Sequence, residues 1–320
     1  MSENINVISK PIHKTSIGGQ ALIEGILMRG PEKVSIAVRK PDGEIDLKVE
    51  KSLPLNKKNK ITSLPIIRGM LGLVDSLKVG MSALMYSAEF FDENPNETET
   101  QEKESLFKRI FKEKADDVAM SLTVFLSIAI AVVVFMILPN FLTNLFSNRI
   151  ENSILLNLIE GLIRIFIFFL YVVWVSKLED VRRVFEYHGA EHKSIHAYEN
   201  GVPLTVENVR KFSILHPRCG TSFLFMVMIV SIVVLSFFGW PNPVMRILTR
   251  IIMLPVIAGI SYEINRFIGK SNSKFCYYLS YPGLLIQKYA TVKEPDDSQI
   301  EVAIKALEAV IPENKEADLW

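Results

Sequence analysis

Residues 118–138 read VAMSLTVFLSIAIAVVVFMIL, a stretch without one charged side chain. As a helix it reaches across the roughly 30 Å hydrocarbon core of a bilayer. Three more apolar segments follow. They run approximately over 154–176, 222–240 and 247–267. The last is interrupted by Arg250 and Glu263 and carries Pro255, which should bend a helix. The reading is an α-helical integral membrane protein with about four transmembrane helices, 118–176 holding two and 222–267 two.

Composition agrees. Of 320 residues, 49% are hydrophobic, and mean hydropathy is +0.25. That is too apolar for an ordinary soluble chain of this size. The net charge of +1 gives no indication of a nucleic-acid partner. Cys219 and Cys276 are the two cysteines, too few for a disulfide framework and consistent with a reducing compartment. The polar start, MSENINVISKPIHKTSIGG, lacks the apolar core of a signal peptide.

Basic residues set the expected orientation. The connection 139–153 has Arg149 alone, and 241–246 has Arg246 alone. The connection 177–221 has Lys177, Arg182, Arg183, Lys193, Arg210, Lys211 and Arg218. Both termini and 177–221 are therefore predicted to be cytoplasmic, in a multi-pass protein of the cytoplasmic membrane.

Outside the spans, residues 1–64 form a small β-rich cytoplasmic part. KVSIAVRKPDGEIDLKVE holds two alternating runs around Pro-Asp-Gly, which reads as a hairpin. Residues 65–91 are apolar but broken by Arg68, Asp75 and Lys78, the pattern of an interfacial or re-entrant helix. Residues 92–117 are a charged linker, flexible over 92–104. In the C-terminal region, 268–320, Ile300, Ile304, Leu307 and Ile311 share one face of an amphipathic helix capped near Asp297.

The candidate chemistry lies in YHGAEHKSIHAYENG, residues 187–201. The second span is expected to continue as a helix through it, with Gly201 as a stop. Residues four apart share a helix face, so His188 and His192 address one point and His196 extends the row. Imidazoles are ligands for zinc and similar metals. His188-Gly-Ala-Glu191-His192 fits H-x-x-E-H, the inverted zincin order. In that chemistry the histidines bind Zn2+, with Fe2+ a second choice, and Glu191 takes a proton from the metal's water. Further ligands are offered by His216 and Cys219 in LHPRCGTSF, and by Glu263. The third ligand stays open among His216, Cys219 and His196. The structural alternatives are a solvated histidine face near headgroups, a packed loop with Arg218 on phosphate, and Glu263 paired with Arg266 or Tyr262.

Glu160 and Arg164, four apart inside the second span, are expected to pair along the helix. GGQALIEGILMRGP, residues 18–31, offers Gln20, Glu24 and Arg29; they read first as strand and turn residues.

GGQALIEGILMRGP, HGAEHKSIHAYENG, HPRCGTSF, PVIAGISYEINR and EPDDSQIEVAIKAL together resemble the YqhQ-like bacterial membrane proteins. The resemblance covers roughly residues 16–311. That family is a domain of unknown function labelled a predicted metal-dependent enzyme. The resemblance implies a cytoplasmic-membrane location and a shared site drawn from Glu24, Arg29, His188, Glu191, His192, His196, His216, Arg218, Cys219 and Glu263.

Two functions are expected to compete. One is a metal-dependent hydrolase at the cytoplasmic face, acting on an amide or ester in a membrane-associated substrate. The other is a non-enzymatic scaffold, adaptor or transporter component with a protein partner and a closed or absent metal site; transport would require an oligomer.

Overall fold

The structure is a computed structural model that describes residues 11–52, 54, 59–91, 115–271, 273–314 and 316–320, with the backbone alone for 115–121. The expected flexible linker over 92–104 lies outside the described residues. Two compact units emerge, Met1–Asp92 with Tyr171–Val230 and Met253–Trp320, and Glu93–Leu170 with Ser231–Ile252.

In the first unit four antiparallel strands follow chain order: β1 (Gly18–Leu22), β2 (Gly25–Arg29), β3 (Lys33–Arg39) and β4 (Ile45–Lys51). The expected Pro-Asp-Gly hairpin joins β3 to β4. GGQALIEGILMR forms a second hairpin, β1 on β2, turning at Ile23–Glu24. Period-two alternation gives the sheet two apolar faces. Leu22, Leu27, Val34, Ile36 and Val38 pack with Ala83 of α1 (Ile67–Glu89).

The helices after α1 are α2 (Ala115–Val132), α3 (Leu138–Asn144), α4 (Ser153–Val175), α5 (Glu179–Glu199), α6 (Val206–Val209), α7 (Gly220–Ser236), α8 (Pro243–Lys270), α9 (Lys274–Ile286) and α10 (Asp297–Glu308). Ile26, Met28 and Ala37, on the other sheet face, join a core with Tyr187, Ala190 and Ile195 of α5 and Ile300, Ala303 and Leu307 of α10. α10 is the expected amphipathic helix, closed by a capping box between Asp296 and Gln299. Truncating the fully buried Leu307 to alanine costs about 2–5 kcal/mol. Ile311 lies past the helix end and is half-buried.

Among the described residues three helices are long and apolar enough to cross a membrane: Leu122–Arg149, Ser153–Val175 and Pro243–Lys270. The segment expected as the third span makes α7, which ends at Ser236 after 17 residues; Gly239 then turns at positive φ. Phe125, Ile128, Phe166 and Trp174 are all exposed. Such a surface is a liability in water and the ordinary outer face of a helix in lipid.

The expectation of one helix running from the second span through the histidines is corrected. α4 stops at Val175, and Leu178 is extended before α5 begins. Glu179 and Asp180 occupy the first turn of α5, where acidic side chains favour a new helix start.

In the second unit the Glu160–Arg164 pair forms at 2.8 Å and gains a third member. Arg250 pairs with the other oxygen of Glu160. Arg246, expected in a loop, lies inside α8 over the Trp240 ring, 3.8 Å from its centroid.

Candidate functional site

α5 carries the histidine row, and the spacing of four places His188 and His192 side by side with ring centroids 4.4 Å apart. Both rings are fixed from behind. His188 Nδ1 donates to the Thr291 carbonyl at 2.9 Å, and His192 Nδ1 donates to the Ile214 carbonyl. A carbonyl only accepts, so Nδ1 carries a proton in each ring and Nε2 is the nitrogen left to face Cys219. This second layer is the one that orients metal-binding histidines.

The two Nε2 atoms converge on Cys219, which ends the loop before α7. His188 Nε2 lies 3.0 Å from Cys219 Sγ. Donor atoms of His188, His192 and Cys219 all fall within 4.8 Å of one another. His192 Nε2 is buried without a hydrogen-bond partner. An unsatisfied buried imidazole nitrogen is costly, and a cation between these donors would satisfy it. The nitrogen–thiolate set fits zinc or iron rather than magnesium or calcium.

Glu191, one residue before His192, is buried against β1. The Gly19 N–H donates to its Oε1 at 2.9 Å. Its Oε2 is buried with no partner. A Cβ on Gly19 would come within 3.0 Å of the Glu191 carboxyl carbon and 2.5 Å of the Leu27 carbonyl, so Gly19 is what lets strand and carboxylate meet. Burial raises the Glu191 carboxyl above its ordinary value. Cys219 moves the other way. Burial alone would raise the thiol, but His188 and His192 pull it well below its usual range. Burial would lower His188, yet the Cys219 thiolate and Glu191 carry it up to about 9.

Gly189 has a separate reason to be small. A Cβ there would lie 2.0 Å from the Lys293 carbonyl. The segment after α9 crosses α5 at this point, with Lys293 N–H donating to the Phe185 carbonyl at 2.9 Å. That crossing delivers the Thr291 carbonyl to His188.

His196 and His216 do not join this trio. They meet Glu199, and their donors also lie within 4.8 Å of one another. Here Arg218 already pairs with Glu199, and the Thr15 N–H donates to the same oxygen at 2.9 Å. A cation entering would meet a fixed guanidinium, which opposes it. Burial works against the Glu199 charge, but His216 and Arg218 hold its pKa at about 2. Burial drops His196 to about 4 and His216 well below its ordinary value. This group is a neutral histidine pair beside a carboxylate–guanidinium pair.

A cavity of about 510 Å³ reaches His192 and Cys219 of the trio. Its wall includes Glu191, His192 and Cys219, then Gly19 and Gln20 of β1, then Leu73 and Val79 of α1. Arg29 lines it too, paired with Asp75. The remaining sequence candidates lie elsewhere. Glu24 sits in the β1–β2 turn and binds Arg183 and the Tyr187 hydroxyl. Glu263 is corrected as a ligand and in its expected partners, because it pairs with Arg68. Glu160 and Arg164 belong to the charge cluster of the second unit.

Sequence reasoning missed Glu199, although it follows His196 by three on one helix and so shares its face. Gln287 was missed as well. Its amide accepts from the His216 N–H and donates to the His216 carbonyl, both at 2.9 Å. The carbonyls of Thr291 and Ile214 carry no side-chain signal at all.

Fold and site together define a mostly helical chain with a small antiparallel sheet, helices fit to cross a membrane, and a His–His–Cys trio beside a buried carboxylate. The chain belongs to the family described as Protein of unknown function (DUF1385), which matches residues 64–313. It is similar to Uncharacterized protein YqhQ of Bacillus subtilis (strain 168), 33% identical over 299 residues that cover 92% of each chain. No solved structure matches. The trio, Glu191 and the Glu199 group all fall within the family match, whereas the sheet precedes it.

Proposed function

We propose that this chain is a metal-dependent hydrolase of the bacterial cytoplasmic membrane. Its metal, zinc first and Fe2+ second, is held by His188 Nε2, His192 Nε2 and Cys219 Sγ. The observation that carries the reading is the convergence of three donors, two of them oriented by backbone carbonyls and one without any partner. Three protein ligands leave the open position of a catalytic site rather than the closed shell of a structural one. Zinc bound there polarises a carbonyl and lowers the pKa of its water to about 7.

The chain's own residues do the rest. Glu191 stays off the metal, because Gly19 holds its Oε1. Its free Oε2 takes the proton of the attacking water and returns it to the leaving group. Burial raises its proton affinity toward the range that such a shuttle needs. The cavity wall includes Leu73, Val79 and Phe223, which suits an apolar substrate. An amide or ester in a membrane-associated molecule is the substrate class.

In this reading the chain crosses the bilayer four times, α7 being the short crossing, with both termini and the site in the cytoplasm. α1 rests on the membrane surface through Val74, Leu77 and Met81, which point away from the sheet.

A second reading is a non-enzymatic scaffold, adaptor or transporter component. The charged group of Glu160, Arg164 and Arg250 among apolar helices favours it. Glu191→Gln separates the two readings. A hydrolase keeps its metal in that variant and loses turnover of ester and amide lipid analogues. Loss of metal along with turnover would make Glu191 a ligand and end the inverted-zincin assignment.

A further inference from the structure

α9, Lys274–Ile286, has two unlike faces. Cys276, Ser280, Gly283, Leu284 and Ile286 are buried. The opposite face shows Phe275 and Tyr278, each 70% exposed, with Leu279 and Leu285, and Tyr289 follows at 59% just beyond the helix end. Tyr278 and Leu279 follow Phe275 by three and four residues and Tyr289 follows Leu285 by four, so on a helix these side chains fall toward one side. Thirteen residues make a rod of about 20 Å, too short to cross a bilayer core.

We infer that α9 is an in-plane helix whose Phe275–Tyr278–Leu279–Leu285–Tyr289 stripe lies in the lipid headgroup layer. Three observations commit it to lipid rather than to a protein. α9 begins four residues after the end of α8, a helix fit to cross a membrane, so the stripe starts close in the chain to a helix end at the membrane. Tyrosine and phenylalanine dominate the stripe, and aromatic rings with a polar tip belong at the interface. Lys270, Lys274 and Lys288 flank it and are exposed, which complements anionic headgroups.

The buried side of α9 leads straight to the histidines. Gly283 packs on Ser222, within 2.9 Å of its Cα for an added Cβ. Gln287 clamps the His216 backbone, and Thr291 holds His188. A helix seated in the headgroup layer therefore sets the height of the histidine row above the membrane. This inference concerns the surface alone and stands whether or not the trio binds metal.

The test uses the full chain in nanodiscs of phosphatidylethanolamine and phosphatidylglycerol. A nitroxide is attached through Tyr278→Cys in a Cys219→Ser/Cys276→Ser background, with Lys305→Cys on α10 as the aqueous control. The position 278 label is expected to be several-fold more accessible to oxygen than to a nickel chelate, and position 305 the reverse. Equal nickel accessibility at the two positions overturns the inference. Spin–spin broadening at 278 that disappears on dilution with unlabelled chain also overturns it, by placing a second copy on the stripe. As a check free of cysteine changes, a benzophenone amino acid at position 278 of the otherwise native chain should give a lipid adduct. A cross-linked dimer without lipid adduct contradicts the inference.

Discussion

His188 and Thr291 are 103 residues apart in the chain and meet at 2.9 Å, ring Nδ1 to backbone carbonyl. The contact depends on Gly189, which lets the Thr291–Lys293 segment pass over α5. Gly189→Ala puts a methyl group where the Lys293 carbonyl lies. The segment must shift, and overpacking of this kind costs about 1–3 kcal/mol. The expected result is a lower thermal midpoint together with weaker metal retention. Wild-type behaviour in both would mean that the segment is not seated as described.

In the proposed function Cys219 and the paired histidines form one ligand set. Cys219→Ser exchanges a soft thiolate for a poor hydroxyl ligand and should weaken zinc retention against a chelator by tenfold or more, on the order of 1.4 kcal/mol. His196→Ala should change retention far less, because His196 faces Glu199 and His216. Competition with a chromogenic chelator distinguishes them. Equal losses would move the site toward the second group.

Glu199 gives a pH prediction. Its folded pKa of about 2 lies below the ordinary value of 4.5. A depressed carboxylate adds stability that is present above its unfolded pKa and is lost as pH falls through its folded one. Unfolding of the wild type should therefore steepen between about pH 4.5 and 2, the window set by those two values. Glu199→Gln should flatten that part of the profile while being less stable at neutral pH, since Arg218 then lacks its partner. An unchanged acid slope would contradict the pairing.

Glu160 holds two arginines within the second unit. Glu160→Gln leaves both without a counter-charge, a loss of roughly 3–5 kcal/mol when a buried pair is broken. Thermal unfolding in detergent checks it. A stable variant that alters only solute flux would instead favour the transporter-component reading.

Much of this protein is visible in its sequence. Charge-free runs such as 118–138 announce helices for lipid because bilayer thickness sets their length. The Lys33–Lys51 hairpin and α10 show in their two hydrophobic periods. H-x-x-E-H puts His188, Glu191 and His192 on neighbouring turns of one helix face, because i, i+3 and i+4 lie close together. Other parts were hidden. The break at Ser176–Leu178 lacks proline and glycine, and only the Glu179–Asp180 pair marks the new start. That Cys219 rather than His216 falls with His188 and His192 depends on where the loop between α6 and α7 returns. Arg68 for Glu263 and Asp75 for Arg29 are distant pairings that no local pattern encodes. α9 gave no sequence signal beyond an aromatic cluster, KFCYYLSY, next to a span.

Metal content of the detergent-purified protein, measured by mass spectrometry beside a His188→Ala/His192→Ala variant, tests the central claim most directly. The account predicts about one zinc or iron per wild-type chain and none in the variant, as expected when both rigid ligands are removed. A folded wild-type protein that holds no metal after zinc is supplied would contradict it and turn the reading toward a membrane scaffold.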